Sequence, residues 1–293
     1  MWAFHARRFR HPVPLNFLTD RVVFSQEPPL RLMRCAECTH LYRSPRERPD
    51  AVRRAYSDSA PEQSVYESLF QNQRIAYRAQ ARRLLNFASG VRRGLEIGSY
   101  MGGFLAAARD AGLSFTGIDV NSSAASFGAS KGLHIETCSI EEVHTDTPYD
   151  AITIWNTFEQ LPDARAAALN ARRLLRDGGV LAVRVPNSSF YTHWRRRLEG
   201  VLSPWAERML VHNNLLGFPY REGFTARSMR RLLDDSGFKI RRVYGDTLFP
   251  IADEWTSSPG ALDEWLTKII QRVSQRGWRA PWVEVYATTR PVT

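Results

Sequence analysis

The chain has 293 residues, of which 43% are hydrophobic and 24% charged, and its formal net charge is +10. This composition is typical of a soluble globular protein with one domain of ordinary size and additional segments, and it argues against two large independent domains. No apolar run approaches the roughly 20 residues that cross a bilayer, which excludes a membrane span. The first residues are basic but have no apolar run behind them, so we expect no secretory signal and a cytoplasmic protein.

Arginine supplies almost all of the positive charge. The only lysines are Lys131, Lys239 and Lys268. The arginines are dispersed along the sequence, mostly in pairs, which is typical of a solvated surface rather than of a nucleic-acid interface. We therefore do not expect a nucleic-acid partner.

Residues 1–60 are rich in arginine, proline and aromatic residues and show no long helical period. We interpret them as an irregular N-terminal module. It contains Cys35-Ala36-Glu37-Cys38, and a single C-x-x-C pair supplies at most half of a tetrahedral zinc site. The residues that could complete the site are His5, His11 and His40. No second cysteine pair precedes this one, so we expect no bound metal.

Residues 61–90 have apolar residues at helical spacing and are predicted to form a helical cap. Short apolar runs and helical patterns then alternate, which predicts parallel strands joined by crossover helices. The predicted strands are residues 94–97, 114–119, 133–137, 149–155 and 180–185. The predicted helices are residues 103–111, 122–131 and 164–175, the last closed by Asp177-Gly178-Gly179.

Residues 91–293 are assigned to one α/β domain with two aromatic-rich insertions, residues 188–222 and 247–281, which are large enough to cover a pocket. The remaining predicted elements are a helix at 226–236 with Thr225 as its N-cap, a strand at 238–244, a helix at 261–276 and a strand at 282–288.

Residues 94–103 read Gly-Leu-Glu-Ile-Gly-Ser-Tyr-Met-Gly-Gly. Gly98 permits a sharp turn after the first strand of the sheet, and Gly102 and Gly103 let the next helix begin close to a ligand. Asp119 ends the following strand, 21 residues beyond Gly98. A carboxylate at this place accepts the ribose hydroxyls in dinucleotide-binding folds. The alternative role of Asp119 is to cap the next helix.

These segments resemble the class I S-adenosylmethionine-dependent methyltransferase family, particularly its bacterial branch that acts on small molecules, lipids and sugars. The similar segments are residues 94–104, 117–119, 149–162 and 174–187. The resemblance implies a Rossmann-like α/β fold, a mostly parallel seven-stranded sheet with an antiparallel last strand, and S-adenosylmethionine as the cofactor. The Cys35 to Cys38 segment also resembles the second half of a zinc knuckle that precedes many members, here in a degenerate form.

The resemblance also implies a set of cofactor-binding residues at the carboxyl ends of the strands. They are Glu96, Gly98, Ser99, Tyr100, Gly102, Asp119, Val120, Ser139, Ile140, Trp155 and Asn156. The loop from Glu96 would lie beside the methionine part, Asp119 would hold the ribose, and Val120 would pack on the adenine. Asn156 would lie near the transferable methyl group.

Members of the family often have a Glu-His pair after the fourth strand, whereas this sequence has Glu159-Gln160. An imidazole base is therefore missing at that position. The candidate catalytic bases are Glu159 and two histidines in the first insertion, His193 and His212. Each of the three has an alternative interpretation as a purely structural residue.

We predict a class I methyltransferase that acts on an oxygen or nitrogen atom of a small molecule, such as a natural product, sugar or lipid precursor. One alternative is an RNA or protein methyltransferase, which is disfavoured because Trp155-Asn156-Thr157-Phe158 lacks an Asn/Asp-Pro-Pro-aromatic sequence. Another is a catalytically inactive partner protein that keeps the fold. The sequence leaves open the methyl acceptor and the oligomeric state, monomer or homodimer.

Overall fold

The computed structural model describes residues 4–5, 31–44, 48–57, 63–197, 221–246 and 277–290. The strands are β1 (Phe4–His5), β2 (Arg31–Arg34), β3 (Leu41–Ser44), β4 (Gly94–Ile97), β5 (Phe115–Asp119), β6 (Ile135–Thr137), β7 (Tyr149–Trp155), β8 (Leu175–Pro186), β9 (Glu222–Gly223), β10 (Phe238–Asp246) and β11 (Trp282–Thr289). The helices are α1 (Pro49–Ser57), α2 (Gln63–Ala76), α3 (Arg78–Phe87), α4 (Gly103–Asp110), α5 (Ser122–Ser130), α6 (Ala164–Leu174), α7 (Ser188–Arg197) and α8 (Ala226–Asp235).

Seven strands form the main sheet, in the order β10-β11-β8-β7-β4-β5-β6. β4 pairs in parallel with β5 and β7, while β11 runs antiparallel between β8 and β10. The chain leaves β4 toward one edge and later returns to its other side as β7. The carboxyl ends of β4 and β7 therefore flank the crevice in which open parallel sheets bind ligands. The predicted Rossmann-like fold with its antiparallel last strand is confirmed.

Both faces of the central strands of the sheet, such as β4 and β7, are buried, as expected for parallel strands with crossover helices. Ile152 and Val183 point to one face and pack in a core with residues of α6 and α8. Trp155 and Ala182 point to the other face and pack with residues of α3 and α4. The alternation along each strand thus fills two cores and leaves the strand ends as the place for polar groups.

Short polar side chains fix the starts of the helices around the crevice. Asn121 caps α5 by accepting a hydrogen bond from the amide of Ala124, and Asp163 caps α6 in the same way. Thr225 caps α8 together with Ser228, as predicted. These caps satisfy amides that have no partner within the helix.

The structure differs from the sequence predictions in local details. The prediction that Asp177-Gly178-Gly179 closes a helix was wrong, because α6 ends before these residues and they lie within β8. Gly178 has a φ of 71°, and the register of the pairing between β7 and β8 shifts here. The glycine therefore allows an irregular backbone conformation within the strand. Helix α1 lies in the segment that was expected to be irregular.

Two further predictions concern a helix in the second insertion and membrane-spanning helices. The helix predicted at 261–276 lies outside the described residues. None of the helices that the structure does describe combines the length and apolar character required to span a bilayer.

Candidate active site

The turn after β4 adopts backbone conformations that favour glycine. Gly98 and Gly102 have φ angles of 70° and 86°, and Tyr100 between them has a φ of 49°. The amides of Gly98 and Ser99 both donate to the carbonyl of Ile118, at 2.9 and 3.0 Å. The turn is therefore fastened to β5 by its backbone.

Packing also requires glycine in this turn. A Cβ atom on Gly98 would lie 2.4 Å from Cγ2 and 2.5 Å from Oγ1 of Thr157, in the loop after β7. A Cβ atom on Gly103 would lie 2.4 Å from Cβ of Gln73 on α2. The glycines thus allow close packing within the protein, in addition to any room that they leave for a ligand.

Asp119, at the end of β5, connects two loops. Its Oδ2 accepts from the amide of Tyr100 at 2.7 Å, and its Oδ1 accepts from the amide of Asn121 at 2.9 Å. The alternative interpretation of Asp119 as the helix cap was wrong, since Asn121 caps α5. Burial raises the pKa of Asp119, and the backbone hydrogen bonds oppose that rise. A carboxylate has about four lone-pair positions, so it retains capacity for hydroxyl donors.

Glu96 lies at the carboxyl end of β4 and is only 2% exposed. Its Oε2 has no hydrogen-bond partner in the described part of the chain. Burial, together with the nearby charge of Asp119, raises the pKa of Glu96 well above its usual value. A cation placed beside Glu96 would satisfy the buried oxygen and favour the charged carboxylate.

Every polar atom of Asn156, the residue after β7, is hydrogen-bonded. Its φ is 56°, and its amide donates to the carbonyl of Arg184 at 3.1 Å. Its Oδ1 accepts from Nη1 of Arg184 at 3.1 Å, and its Nδ2 contacts Oη of Tyr77 at 3.3 Å. Its carbonyl accepts from Nε2 of Gln160. Asn156 is therefore a fixed corner of the crevice.

The other implied cofactor residues lie at three strand ends. The indole of Trp155 is buried in the core, with its ring centre 5.3 Å from that of Phe104, so only its backbone reaches the strand end. Val120 is half-buried after β5. Ser139 caps a 3₁₀ turn formed by Ile140–Glu142 after β6. The strand ends named by the resemblance thus lie at the same edge of the sheet.

Glu159 is fully buried in the loop after β7. Neither of its carboxyl oxygens makes a hydrogen bond of normal geometry with a described residue. Burial raises the pKa of Glu159 to about 8, against the smaller opposing effects of its own backbone amide, Gln160 and Arg184. Its carbonyl accepts from the amides of Arg221 and Glu222 at 3.0 and 3.2 Å, which ties this loop to β9.

The structure describes one of the two histidine candidates. His193 is exposed on α7, where its ring lies 5.9 Å from that of Trp194. His212 lies outside the described residues. Of the candidate bases that the structure describes, Glu159 is the buried one.

A family model described as a methyltransferase domain matches residues 70–243, which is more than half of the chain. The protein belongs to this methyltransferase family. It is a class I methyltransferase that uses S-adenosylmethionine as its methyl donor. The matched segment of the methyltransferase includes the turn after β4, Asp119 and Glu159.

Solved structures share the fold of this methyltransferase. A SAM-dependent methyltransferase from Archaeoglobus fulgidus has a TM-score of 0.52 and 17% identity, with 78% of this chain and 100% of that chain covered. A possible histamine N-methyltransferase from Thermotoga maritima has a TM-score of 0.51 and 18% identity, covering 78% of this chain and 96% of that one. Geranyl diphosphate C-methyltransferase from Streptomyces coelicolor A3(2) has a TM-score of 0.50 and 18% identity, covering 72% and 78%. No curated protein matches the sequence.

A network of buried charged side chains lies behind Asn156 in the methyltransferase. Nε of Arg184 lies 2.9 Å from Oδ2 of Asp246. The side-chain Nε2 of Gln80 donates to Asp246 at 3.1 Å and to Glu284 at 2.6 Å, and Arg83 donates to Glu284 at 2.5 Å. Burial raises the pKa of Glu284 to about 7, and Asp246 adds to this rise.

Helix α1 lies across the strand ends of the methyltransferase. The hydroxyl of Tyr56 donates to Oε1 of Gln160 at 2.6 Å, and the carbonyl of Tyr56 accepts from Nδ2 of Asn121 at 2.7 Å. Arg53 forms an exposed ion pair with Glu142 at 2.8 Å. The helix therefore contacts the loops after β5, β6 and β7.

Sequence reasoning missed several of these residues. Arg184 gave a signal, since it is a single charged residue in an apolar strand, and a buried charge must be paired. Tyr77 gave none, because its place depends on the break between α2 and α3. Tyr56 was missed because its segment showed no long helical period.

The cysteine pair lies in the turn between β2 and β3. The amide of Cys35 donates to the carbonyl of His40 at 2.8 Å, and Thr39 has a φ of 63°. Hydrogen bonds, the largest from the backbone of Cys38, lower the pKa of Cys35. Among the described residues no three or more His, Cys, Asp or Glu side chains are grouped to hold a metal ion. The candidate ligand His11 lies outside them.

Proposed function

We propose that the protein methylates an oxygen or nitrogen atom of a small molecule, of the natural-product, sugar or lipid-precursor type. The observation that carries this proposal is Glu159, a fully buried carboxyl group in the loop after β7 whose oxygens lack hydrogen bonds of normal geometry among the described residues. Such a group is suited to take a proton from a compact acceptor that enters the crevice.

The polar groups of the crevice fit S-adenosylmethionine. Oε2 of Glu96, which has no hydrogen-bond partner among the described residues, suits the ammonium group, and the remaining lone pairs of Asp119 suit the ribose hydroxyls. The turn with Gly98, Ser99, Tyr100 and Gly102 would border the methionine part. Val120, Ser139 and Ile140 would enclose the adenine, and the backbone at Trp155 and Asn156 would lie near the sulfur.

The bound cofactor supplies a methyl group on a positively charged sulfur, which is already a good leaving group. The task of the protein is therefore mainly to align the acceptor with that methyl group and to exclude water. Asn156, which is held by several hydrogen bonds, would help to align the acceptor, and α1 would help to exclude water from the strand ends.

Glu159 would remove the proton of the acceptor. With a pKa of about 8, it is matched to groups whose own pKa is near 10, such as a phenol or an alkylammonium. The proposal therefore favours a phenolic oxygen or an amine nitrogen over an aliphatic hydroxyl. His212 and the exposed His193 are secondary candidates for the same step.

A methyl-transfer assay tests the proposal. Purified protein with S-adenosylmethionine labelled in the methyl group is offered phenols, amines, hydroxylated sugars and, separately, total RNA. We expect label in small molecules, with a rate that rises with pH to a plateau above about 8. Glu159→Gln should lower kcat and abolish the rise, whereas Asp177→Asn, an exposed carboxylate, should behave as the wild type. Label in RNA alone would contradict the proposal.

Cofactor binding separates an enzyme from an inactive relative. Calorimetry with S-adenosylhomocysteine should show binding to the wild type and a loss of ~100-fold or more in Asp119→Ala, since two hydrogen bonds to a charged group are removed. A wild type that binds but labels no acceptor of any class would favour the inactive partner protein.

A further inference from the structure

The hydrogen bonds around Asn156 have a fixed direction. An arginine side chain can only donate, so the group that faces Nη1 of Arg184 at 3.1 Å must be Oδ1 of Asn156. The amide nitrogen of Asn156 then faces Oη of Tyr77 at 3.3 Å. The tyrosine oxygen accepts in this contact, so its own proton must point to another group.

No described residue accepts the proton of Tyr77. Among the described residues, the Tyr77 hydroxyl makes its hydrogen bond with Asn156. Burial, followed by the nearby charge of Glu96, raises the pKa of Tyr77, so the hydroxyl stays protonated and acts as a donor. The side chain of Tyr77 is half-buried at the strand ends, so its proton is available to an acceptor on a ligand.

The neighbourhood of Tyr77 indicates which part of a ligand this is. Tyr77 is close enough to Glu96 for the two groups to interact electrostatically, and Glu96 suits an ammonium group. In an α-amino acid, the ammonium and the carboxylate are attached to the same carbon atom. A hydroxyl beside Glu96 therefore lies within reach of the carboxylate, which is a strong hydrogen-bond acceptor.

The methyl acceptor is the less suitable partner for this hydroxyl. The atom that is methylated must direct a lone pair at the methyl group, and a hydrogen bond donated to that lone pair would weaken it as a nucleophile. The carboxylate takes no part in the methyl transfer, and a donated hydrogen bond stabilises its negative charge.

We propose that the hydroxyl of Tyr77 donates a hydrogen bond to the carboxylate of the amino-acid part of the bound methyl donor. Arg184 and Asn156 act as positioning residues, because they fix the direction of this bond. The inference rests on the proposed placement of that amino-acid part beside Glu96.

Two ligands that differ by the carboxylate test this inference. Calorimetry is done with S-adenosylhomocysteine and with S-adenosyl-3-thiopropylamine, which keeps the ammonium but lacks the carboxylate. Tyr77→Phe should weaken the first ligand by ~10-fold or more and leave the second unchanged. Tyr149→Phe, a buried tyrosine at the opposite end of β7, is the matched control and should change neither.

Asn156→Asp provides a second, independent variant. An aspartate still accepts from Arg184 but would also accept the proton of Tyr77, which turns the hydroxyl away from the ligand. We expect it to lower the preference for the carboxylate-bearing ligand at least as much as Tyr77→Phe does. A general structural defect would weaken both ligands alike.

The outcomes are distinct. An unchanged preference in both variants, or an equal loss for both ligands, would overturn the role of Tyr77 while the cofactor assignment stands. A wild type that binds neither ligand would instead contradict the proposed cofactor placement, and with it the inference.

Discussion

The two sides of the crevice are built in different ways. On the side of β4 and β5, the turn and Asp119 are held by backbone amides and glycine conformations, and the ion pair of Arg53 is exposed. On the side of β7, β8 and β11, the polar groups are buried charged side chains such as Arg184 and Glu284. The first side also holds Glu96 and Asp119, whose pKa values are raised, but its turn is fixed largely by backbone hydrogen bonds. The charged side chains of the second side are fixed by one another, so each depends on its partners and on protonation. We therefore expect the second side to be the more vulnerable one.

The largest effect is expected for Arg184→Met. The substitution leaves Asp246 without the arginine that lies 2.9 Å away, in a region where neither side chain is more than 7% exposed. Removing one partner of a buried ion pair typically costs about 3–5 kcal/mol of the free energy of unfolding. Urea unfolding, monitored by circular dichroism, measures this cost. A stability equal to that of the wild type would show that the network does not stabilise this side.

The second prediction concerns pH. Glu159 and Glu284 have pKa values of about 8 and about 7 in the folded protein, above the ordinary 4.5. The folded state then holds protons that the unfolded chain releases, so stability is full below about pH 4.5 and falls as the pH rises toward 8. For Glu159 the loss between about pH 5.5 and 8.5 is roughly 3 kcal/mol.

Unfolding curves at these two pH values check the prediction. Glu159→Gln should reduce the dependence, because the amide carries no titrating proton while Glu284 still titrates, and the exposed Asp177→Asn should leave it as in the wild type. A wild type that becomes more stable between the two pH values would contradict the raised pKa values.

A smaller effect is expected on the backbone-built side, from Gly98→Ala. The left-handed conformation costs a residue with a Cβ roughly 1–2 kcal/mol, and the new methyl group would also overlap Thr157. We expect a total loss of about 2 kcal/mol in the free energy of unfolding. Adding Thr157→Ala should recover the part due to overlap and leave the part due to conformation. No recovery would show that packing between the two loops is not a constraint.

The smallest effect is expected for Arg53→Met. Both members of the Arg53 and Glu142 pair are about half exposed, so water and salt screen their attraction. The free energy of unfolding should stay within the error of the wild-type value at low and high salt. A clear, salt-dependent loss in the free energy of unfolding would show that an ion pair stabilises the side that we describe as backbone-built.

The strands and the turn of the backbone-built side were predicted from the sequence. Gly98, Asp119 and the strand ends follow from local patterns, because a turn and the strand before it are adjacent in the chain. The buried network was not predicted, since Arg184, Asp246 and Glu284 meet only through the order β8-β11-β10. Asp177-Gly178-Gly179 shows the limit of local patterns, because the same residues suit a helix end and a strand irregularity.

The candidate bases show the same limit. Glu159 was one of three, and the sequence offered no way to rank it, because burial depends on residues near 221 that are distant in the chain. Tyr77 was missed for the same reason, since its partner Asn156 lies 79 positions away.

Strand β9 brings a consequence for the order of folding. Glu222 pairs with Tyr42 of β3, and its amide donates to the carbonyl of Glu159. Residues 42 and 222 are 180 positions apart, so this junction forms only after a long loop of chain has closed. Closing this loop costs conformational entropy before the stabilising contacts can form, which slows non-local pairing. The wall around Glu159 is therefore expected to assemble last, after the turn that follows β4 already exists.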